Sequence, residues 1–109
     1  MGLKSVLIEL ENIEMYHQIV NFIELYNQKY DLIGLLYHNS LCKYYALIEC
    51  EGNYFCRVLN TFFPEKIKYL EDFPAIETSQ GCQIKNALYF HDVTECLIHY
   101  QQNKSISAG

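Results

Sequence analysis

The stretch from Tyr30 to Gly52, YDLIGLLYHNSLCKYYALIECEG, constrains this chain more than any other. Two apolar runs, Leu32 to Tyr37 and Lys43 to Cys50, flank His38, Asn39 and Ser40, types that favour a turn. That is the pattern of an antiparallel hairpin. In the second run Tyr44, Ala46, Ile48 and Cys50 share one face, and Lys43, Tyr45, Leu47 and Glu49 share the other. The first run is apolar at both parities, Leu32, Gly34 and Leu36 against Ile33, Leu35 and Tyr37. A strand of that kind is central and covered on both sides. The hairpin therefore asks for two covers, and the rest of the chain has to supply them.

The remaining segments are read in that light. Val6, Ile8 and Leu10 alternate with Leu7 and Glu9, which predicts a first strand rather than a signal peptide. Asn12 suits a helix N-cap, and the helix is predicted from about Ile13 to Tyr30. Met15, Tyr16, Ile19, Phe22, Ile23, Tyr26 and Tyr30 fall on one side of it, and Glu14, His17, Gln18, Asn21, Glu24 and Gln28 on the other. Asn53 caps a second predicted helix, Tyr54 to about Phe63, which Pro64 stops. Glu65 to Phe73 fits either a strand or a helix, and a strand over Ile67 to Leu70 is preferred on length. Phe73 to Gly81 reads as a loop. Ala87 to Phe90 reads as a fifth strand. Asp92 and Glu95 have the spacing of a capping box before a last helix, Val93 to about Asn103.

Two strand–helix–strand units in series predict an α+β fold on the ferredoxin-like split βαβ plan (βαββαβ). An additional C-terminal strand and helix extend it. The 109 residues make one domain. It is expected over 1–104, with the small, polar tail 105–109 frayed.

Composition narrows the function. The net charge of −5 argues against broad phosphate-backbone binding, which needs a basic face. Lys66, Lys68 and Lys85 are the lysines that can gather into a local basic patch. No apolar run approaches the ~20 residues of a membrane span, so no membrane role is expected. The five cysteines, Cys42, Cys50, Cys56, Cys82 and Cys96, are odd in number and none forms a C-x-x-C pair. Reduced thiols in a cytoplasmic protein fit this best.

Chemistry-bearing side chains are densest at His91, Asp92, Glu95, Cys96 and His99. On a helix Cys96 and His99 face one point, and a metal reading takes His91, Cys96 and His99, with His38 or Cys42 approaching from the hairpin. The bland alternative is a helix start, a core cysteine and a surface histidine, and it is preferred. Cys42 near His38 is the thiol most exposed for catalysis, without a supporting motif. No P-loop, dinucleotide fingerprint or H-E-x-x-H occurs, and no motif calls for a cofactor.

Lys43 to Cys50 partly resembles the RNP1 strand of the RNA-recognition motif. Lys43, Tyr45, Ala46 and Ile48 match or nearly match it, while Tyr44, Leu47 and Cys50 depart, and Leu47 removes a stacking aromatic. The resemblance implies single-stranded RNA stacked on that face. The hairpin is also loosely similar to rolling-circle replication initiators. Those need a His-x-His pair that Tyr45 to Leu47 lacks, so nuclease chemistry is not implied.

The functional expectation is a non-enzymatic protein acting through protein–protein association, as a homodimer or with another protein. Tyr45 and Leu47 are expected on the uncovered sheet face, with Leu35 or Tyr37 beside them across the hairpin. Either a second copy covers this partner-binding patch or the segment from Cys82 to Tyr100 of the same chain does. Two other classes stay open: a module binding a small ligand or single-stranded RNA on the same face, and a small metal- or thiol-dependent enzyme.

Overall fold

A computed structural model of the chain describes residues 3–25, 30–51, 59–79 and 81–108. The order is β1 (Leu3–Leu10), α1 (Ile13–Leu25), β2 (Tyr30–His38), β3 (Lys43–Glu51), a helical stretch at 59–62, β4 (Ile67–Tyr69), a 3-10 turn (Leu70–Asp72), β5 (Ala75–Thr78), β6 (Gly81–Ile84), β7 (Ala87–Phe90) and α2 (Val93–Ala108). The fold is α+β. Five strands form one sheet in the order β4-β1-β3-β2-β7, and β5 and β6 form a separate ribbon. Every strand pair is antiparallel.

The register explains both covers. Val6 opposes Ile48 and Ile8 opposes Ala46, which aligns the two core faces of β1 and β3. On this side lie Met15, Ile19 and Phe22 of α1, Leu59 and Phe63, and Cys96 of α2, all in one buried cluster. Asn12 caps α1 through its side-chain oxygen, which accepts from the Met15 N–H at 3.1 Å. Asp92 does the same for Glu95 at 2.9 Å, while the Glu95 carboxylate reaches back to the His91 N–H at 3.4 Å. The opposite face holds a smaller cluster of Leu7, Leu36, Tyr45 and Ile84, flanked by Leu47, Phe73, Ala87 and Tyr89.

Several expectations are corrected. Tyr30 is the first residue of β2, not the end of the long helix, which reaches Leu25. The helix expected from Tyr54 lies largely on 52–58, outside the described residues, and its end at 59–62 is helical as Pro64 requires. The segment Phe73 to Gly81 is not a loop, because Ala75–Thr78 pairs with Gly81–Ile84. Thr78 Oγ1 closes that ribbon by donating to the Gly81 carbonyl at 2.8 Å, and Gly81 takes φ +110, open to glycine without strain. Ile67–Tyr69 is a strand, and Leu70 begins the 3-10 turn instead. The last helix continues through Ala108, past the expected end near Asn103.

One further irregularity sets the faces of β2. Leu32 opposes Ile48, yet Gly34 opposes Leu47, so Ile33 is an extra residue without a partner. This β-bulge shifts the alternation by one. Tyr30 and Leu32 point to the helix side, and so do Leu35 and Tyr37 beyond the bulge, opposite Ala46 and Tyr44. Leu36 and His38 consequently point to the far side, opposite Tyr45 and Lys43.

Candidate functional site

The four residues expected to form one patch are divided between two faces. Leu35 and Tyr37 pack on the helix side, and Tyr45 and Leu47 on the far side. The hairpin register is the reason: Tyr37 opposes Tyr44 and Leu35 opposes Ala46, so neither shares a face with Tyr45. Tyr45, moreover, is only 2% exposed, because the Phe73 ring meets it edge-on at 5.4 Å. The far face is covered by the chain's own 70–90 segment rather than left bare, and the ring that the RNP1 resemblance would offer to a base lies beneath that cover.

On the helix side the most polar feature joins β3 to α2. Tyr44 Oη lies 2.6 Å from His99 Nδ1 and accepts from Asn103 Nδ2 at 3.0 Å. The Tyr37 and Phe90 rings stand 4.8 and 5.4 Å from the imidazole. The imidazole tautomer sets which of Tyr44 and His99 donates in this pair, and Asn103 Nδ2 also lies 3.4 Å from His99 Nδ1. Burial pushes the Tyr44 phenol up to about 12, with Cys96, Tyr37 and Tyr100 adding to the effect and the Asn103 hydrogen bond opposing it. Burial alone lifts the Cys96 thiol to about 11. A thiol so raised is a poor nucleophile at neutral pH. The adjoining gap, lined by Leu10, Tyr44, Cys96 and Tyr100, measures about 20 Å³, space for a water and not for a substrate. This network docks a helix.

The metal candidates do not converge. His91 is exposed, Cys96 is in the apolar cluster, and His99 Nδ1 is held by Tyr44. Among the described residues no three His, Cys, Asp or Glu side chains gather where they could share an ion.

The far side differs. Here β2 and β3 end in the loop 39–42, closed by Cys42 N–H donating to the His38 carbonyl at 2.8 Å. Cys42 takes φ 55, the left-handed conformation that lets a four-residue loop return into register. Leu41 N–H donates to His38 Nδ1 at 3.2 Å. His38 is thereby fixed with its remaining ring hydrogen on Nε2, and it is the one buried polar or charged side chain among the described residues, 6% exposed.

Around it lies a groove of about 430 Å³, within the range of small-molecule sites. Its inner side is His38 and Tyr45, its walls are Leu41, Phe73 and Pro74, and its rim carries Lys43, Lys68 and Asp72. Phe73 is brought there by the 3-10 turn, whose last carbonyl bond runs from Phe73 N–H to Leu70 at 3.1 Å. Pro74 is held by Lys85 N–H, which donates to its carbonyl at 2.8 Å. Asn39 N–H donates to the Asn86 carbonyl at 2.8 Å, so the turn at 85–86 ties the hairpin loop to the far-side cover.

Ionic contacts order the rim. Lys43 Nζ donates to Glu9 at 3.0 Å, Lys66 reaches the other Glu9 oxygen at 3.4 Å, and Lys66 also pairs with Glu11. Burial pushes the Glu9 carboxyl up, but the hydrogen bonds and charges of Lys43 and Lys66 outweigh it and hold the group below its ordinary value. Burial, then the Glu9 charge, raises the Tyr45 phenol, so it keeps its proton. Of the three lysines that sequence reasoning marked for a basic patch, Lys68 lines this groove, Lys66 is its paired neighbour, and Lys85 bonds Pro74 through its backbone.

A second groove, about 630 Å³, runs along β1 and the 3-10 turn between Lys4, Val6, Tyr69 and Phe73. It is larger but contains no buried ionisable group. Sequence reasoning offered His38 only as a metal ligand or as the neighbour of the Cys42 thiol, and not as the buried lining of a groove, because it sits among turn formers. Its four-residue spacing from Cys42 was the available signal. No protein-family model matches the chain, and no curated protein or solved structure does.

Proposed function

We propose that the chain is a non-enzymatic binding module that holds a small organic ligand in the groove beside His38. The observation that carries this reading is the buried imidazole in the groove lining. Its Nδ1 is taken by Leu41 N–H, and Nε2 has no partner among the described residues. No buried side-chain nitrogen or oxygen among the described residues lacks a partner, so the unpaired Nε2 opens into the groove, where a donor suits a ligand acceptor. The fold we infer for this role is the split βαβ, or ferredoxin-like, plan, with β7 and α2 added beside β2. Its support is that β1 and β2 run parallel on either side of β3, that α1 joins them, and that β4 lies beyond β1. A reducing, cytoplasmic setting goes with it, supported by the buried thiols Cys50 and Cys96.

A library of metabolite-sized compounds, screened by amide chemical-shift mapping, tests the reading. Hits are expected to move the amides of 38–45 and 68–74. A screen whose hits all map outside those segments, or that yields none, removes it.

Association with a second copy is the second reading, and β7 favours it. It is a sheet edge, paired only with β2 among the described residues, and its Leu88 is 42% exposed. Light scattering of the wild type and of Leu88→Lys tests it: a dimer that the substitution dissociates is expected, and a wild-type monomer overturns it.

A further inference from the structure

The groove's charge narrows its ligand, on the premise that it is a binding site at all. The chain as a whole carries −5, yet the groove rim has Lys43 and Lys68 against Asp72 alone. Glu9 divides its two oxygens between Lys43 and Lys66, and Lys66 meets Glu11 as well. Those four charges cancel locally. Lys68 and Asp72 are left at the rim, and they do not pair with each other. Lys68 opposes Leu7 in the β1–β4 register, on the face of the far-side cluster, and forms no ion pair with any described residue. Beside it the His38 Nε2–H and the Tyr45 phenol are both hydrogen-bond donors. Opposite the donors are apolar walls: the Phe73 ring, Pro74 and the 49%-exposed Leu41.

We infer that the groove takes a small organic anion, a carboxylate or phosphate monoester on an aromatic or branched apolar body. Its anionic group lies toward Lys68, Lys43 and His38, and its body lies against Phe73 and Leu41. The unpaired Lys68 ammonium, with the His38 and Tyr45 donors beside it, explains the sign of the ligand, since an ammonium without an ion-pair partner at a concave, partly apolar surface attracts an anion more strongly than one on open surface. The exposed leucine and half-buried phenylalanine explain the body, because a bare inorganic ion would leave both in contact with water. Asp72 at the rim repels a second anionic group placed at that end, so a single acidic terminus is favoured over a diacid.

Three probes of the same shape decide it: phenyl phosphate, benzoate and the neutral benzamide, titrated into the labelled protein and followed at the amides of 38–45 and 68–74. At least one anion is expected to saturate those shifts, the stronger one identifying phosphate or carboxylate as the preferred head, while benzamide moves them weakly. Lys68→Glu, on an exposed side chain, is expected to weaken the anion about tenfold or more. Lys4→Glu makes the same charge change in the neighbouring groove and is expected to leave it unaltered. Benzamide binding as well as the anions, or Lys4→Glu and Lys68→Glu acting alike, overturns the anionic class while the groove stays a binding site. Silence of the groove amides toward all three probes also overturns the anionic class, and the library screen then decides the groove itself.

Discussion

The two faces of the central sheet are built from the same strands and end differently. On the helix side α1, residues 59–63 and α2 lay long apolar stripes over Val6, Ile8, Ala46 and Ile48, all essentially buried. On the far side a 3-10 turn, a ribbon of two four-residue strands and a tight turn cover Leu7, Leu36 and Tyr45. A helix brings a side chain to the sheet every three or four residues and closes space as it passes. A ribbon brings one every second residue over a short span, and it leaves gaps at its ends. The candidate site is one of those gaps. In this molecule the thick cover closes its side, and the thin one leaves the groove where we propose a ligand.

That contrast can be broken by mutation. Phe22→Ala on α1 removes a ring that meets Tyr30 at a tilt and Phe62 and Phe63 edge-on, at 4.9 to 5.8 Å, and it should cost about 3–5 kcal/mol in denaturant unfolding. Phe73→Ala on the thin cover is expected to cost about 1–2 kcal/mol, since the ring is only half-buried. Equal losses at the two positions would mean that both faces are core and that the division fails.

Alkali sharpens the same point. Tyr44 and Cys96 hold their protons above the ordinary values of 10.0 and 9.0, to about 12 and about 11. In the unfolded chain both groups ionise earlier, so the folded state binds more protons through this window. Stability is therefore full below pH 9 and falls as pH rises toward 12, by at most about 3 kcal/mol for each group. Tyr44→Phe should flatten the upper part of that fall, measured by unfolding at stepped pH. A fall of unchanged depth in Tyr44→Phe would separate α2 docking from this network.

The acid limb belongs to the far side and is smaller. Glu9 is held below its ordinary value of 4.5, so its contribution is present above that pH and disappears as pH drops through the folded value. Glu9→Gln should remove this slope and cost about 1 kcal/mol or less at neutral pH, because Lys43 is half-exposed. The smallest change tests the thiols. Cys42 and Cys82 are exposed and should react with a thiol reagent in the folded protein, whereas Cys50 and Cys96 should wait for unfolding. Fast labelling of Cys96 would show that α2 does not seal its side.

What could be read in advance was local. Asn12 before an apolar stripe at helical spacing located α1, and the alternation of Tyr44 to Cys50 gave β3 its two faces. Asp92 and Glu95 marked the start of α2 for the same reason. What could not be read depended on partners distant in sequence. The bulge in β2 has no glycine to mark it: a Cβ at Gly34 would meet nothing within 4 Å, and the extra residue is its neighbour Ile33. The ribbon was hidden because Ala75 to Thr78 and Gly81 to Ile84 are short and mostly exposed, with no apolar alternation to announce them. His99 reads as a surface histidine, with a metal ligand as the alternative, and is a hydrogen-bond partner, which only the arrival of Tyr44 from another strand makes plain.

The extra residue in β2 has a consequence for how this chain can change over time. Substitution alters what stands at an address, whereas only insertion or deletion alters the address itself. With Ile33 counted in, both halves of β2 present their apolar residues to the helices, Tyr30 and Leu32 before it and Leu35 and Tyr37 after. Deleting Ile33 itself would leave plain alternation, with each of these residues on its present face. Keeping Ile33 but straightening the strand through it would not: either Tyr30 and Leu32 leave the helix side, or Leu35 and Tyr37 do and carry His38 out of the groove with them. A descendant could therefore replace most of the residues around the groove, or drop Ile33, and still keep the place for an imidazole. One whose strand ran straight through Ile33 would keep all of its text and lose the site.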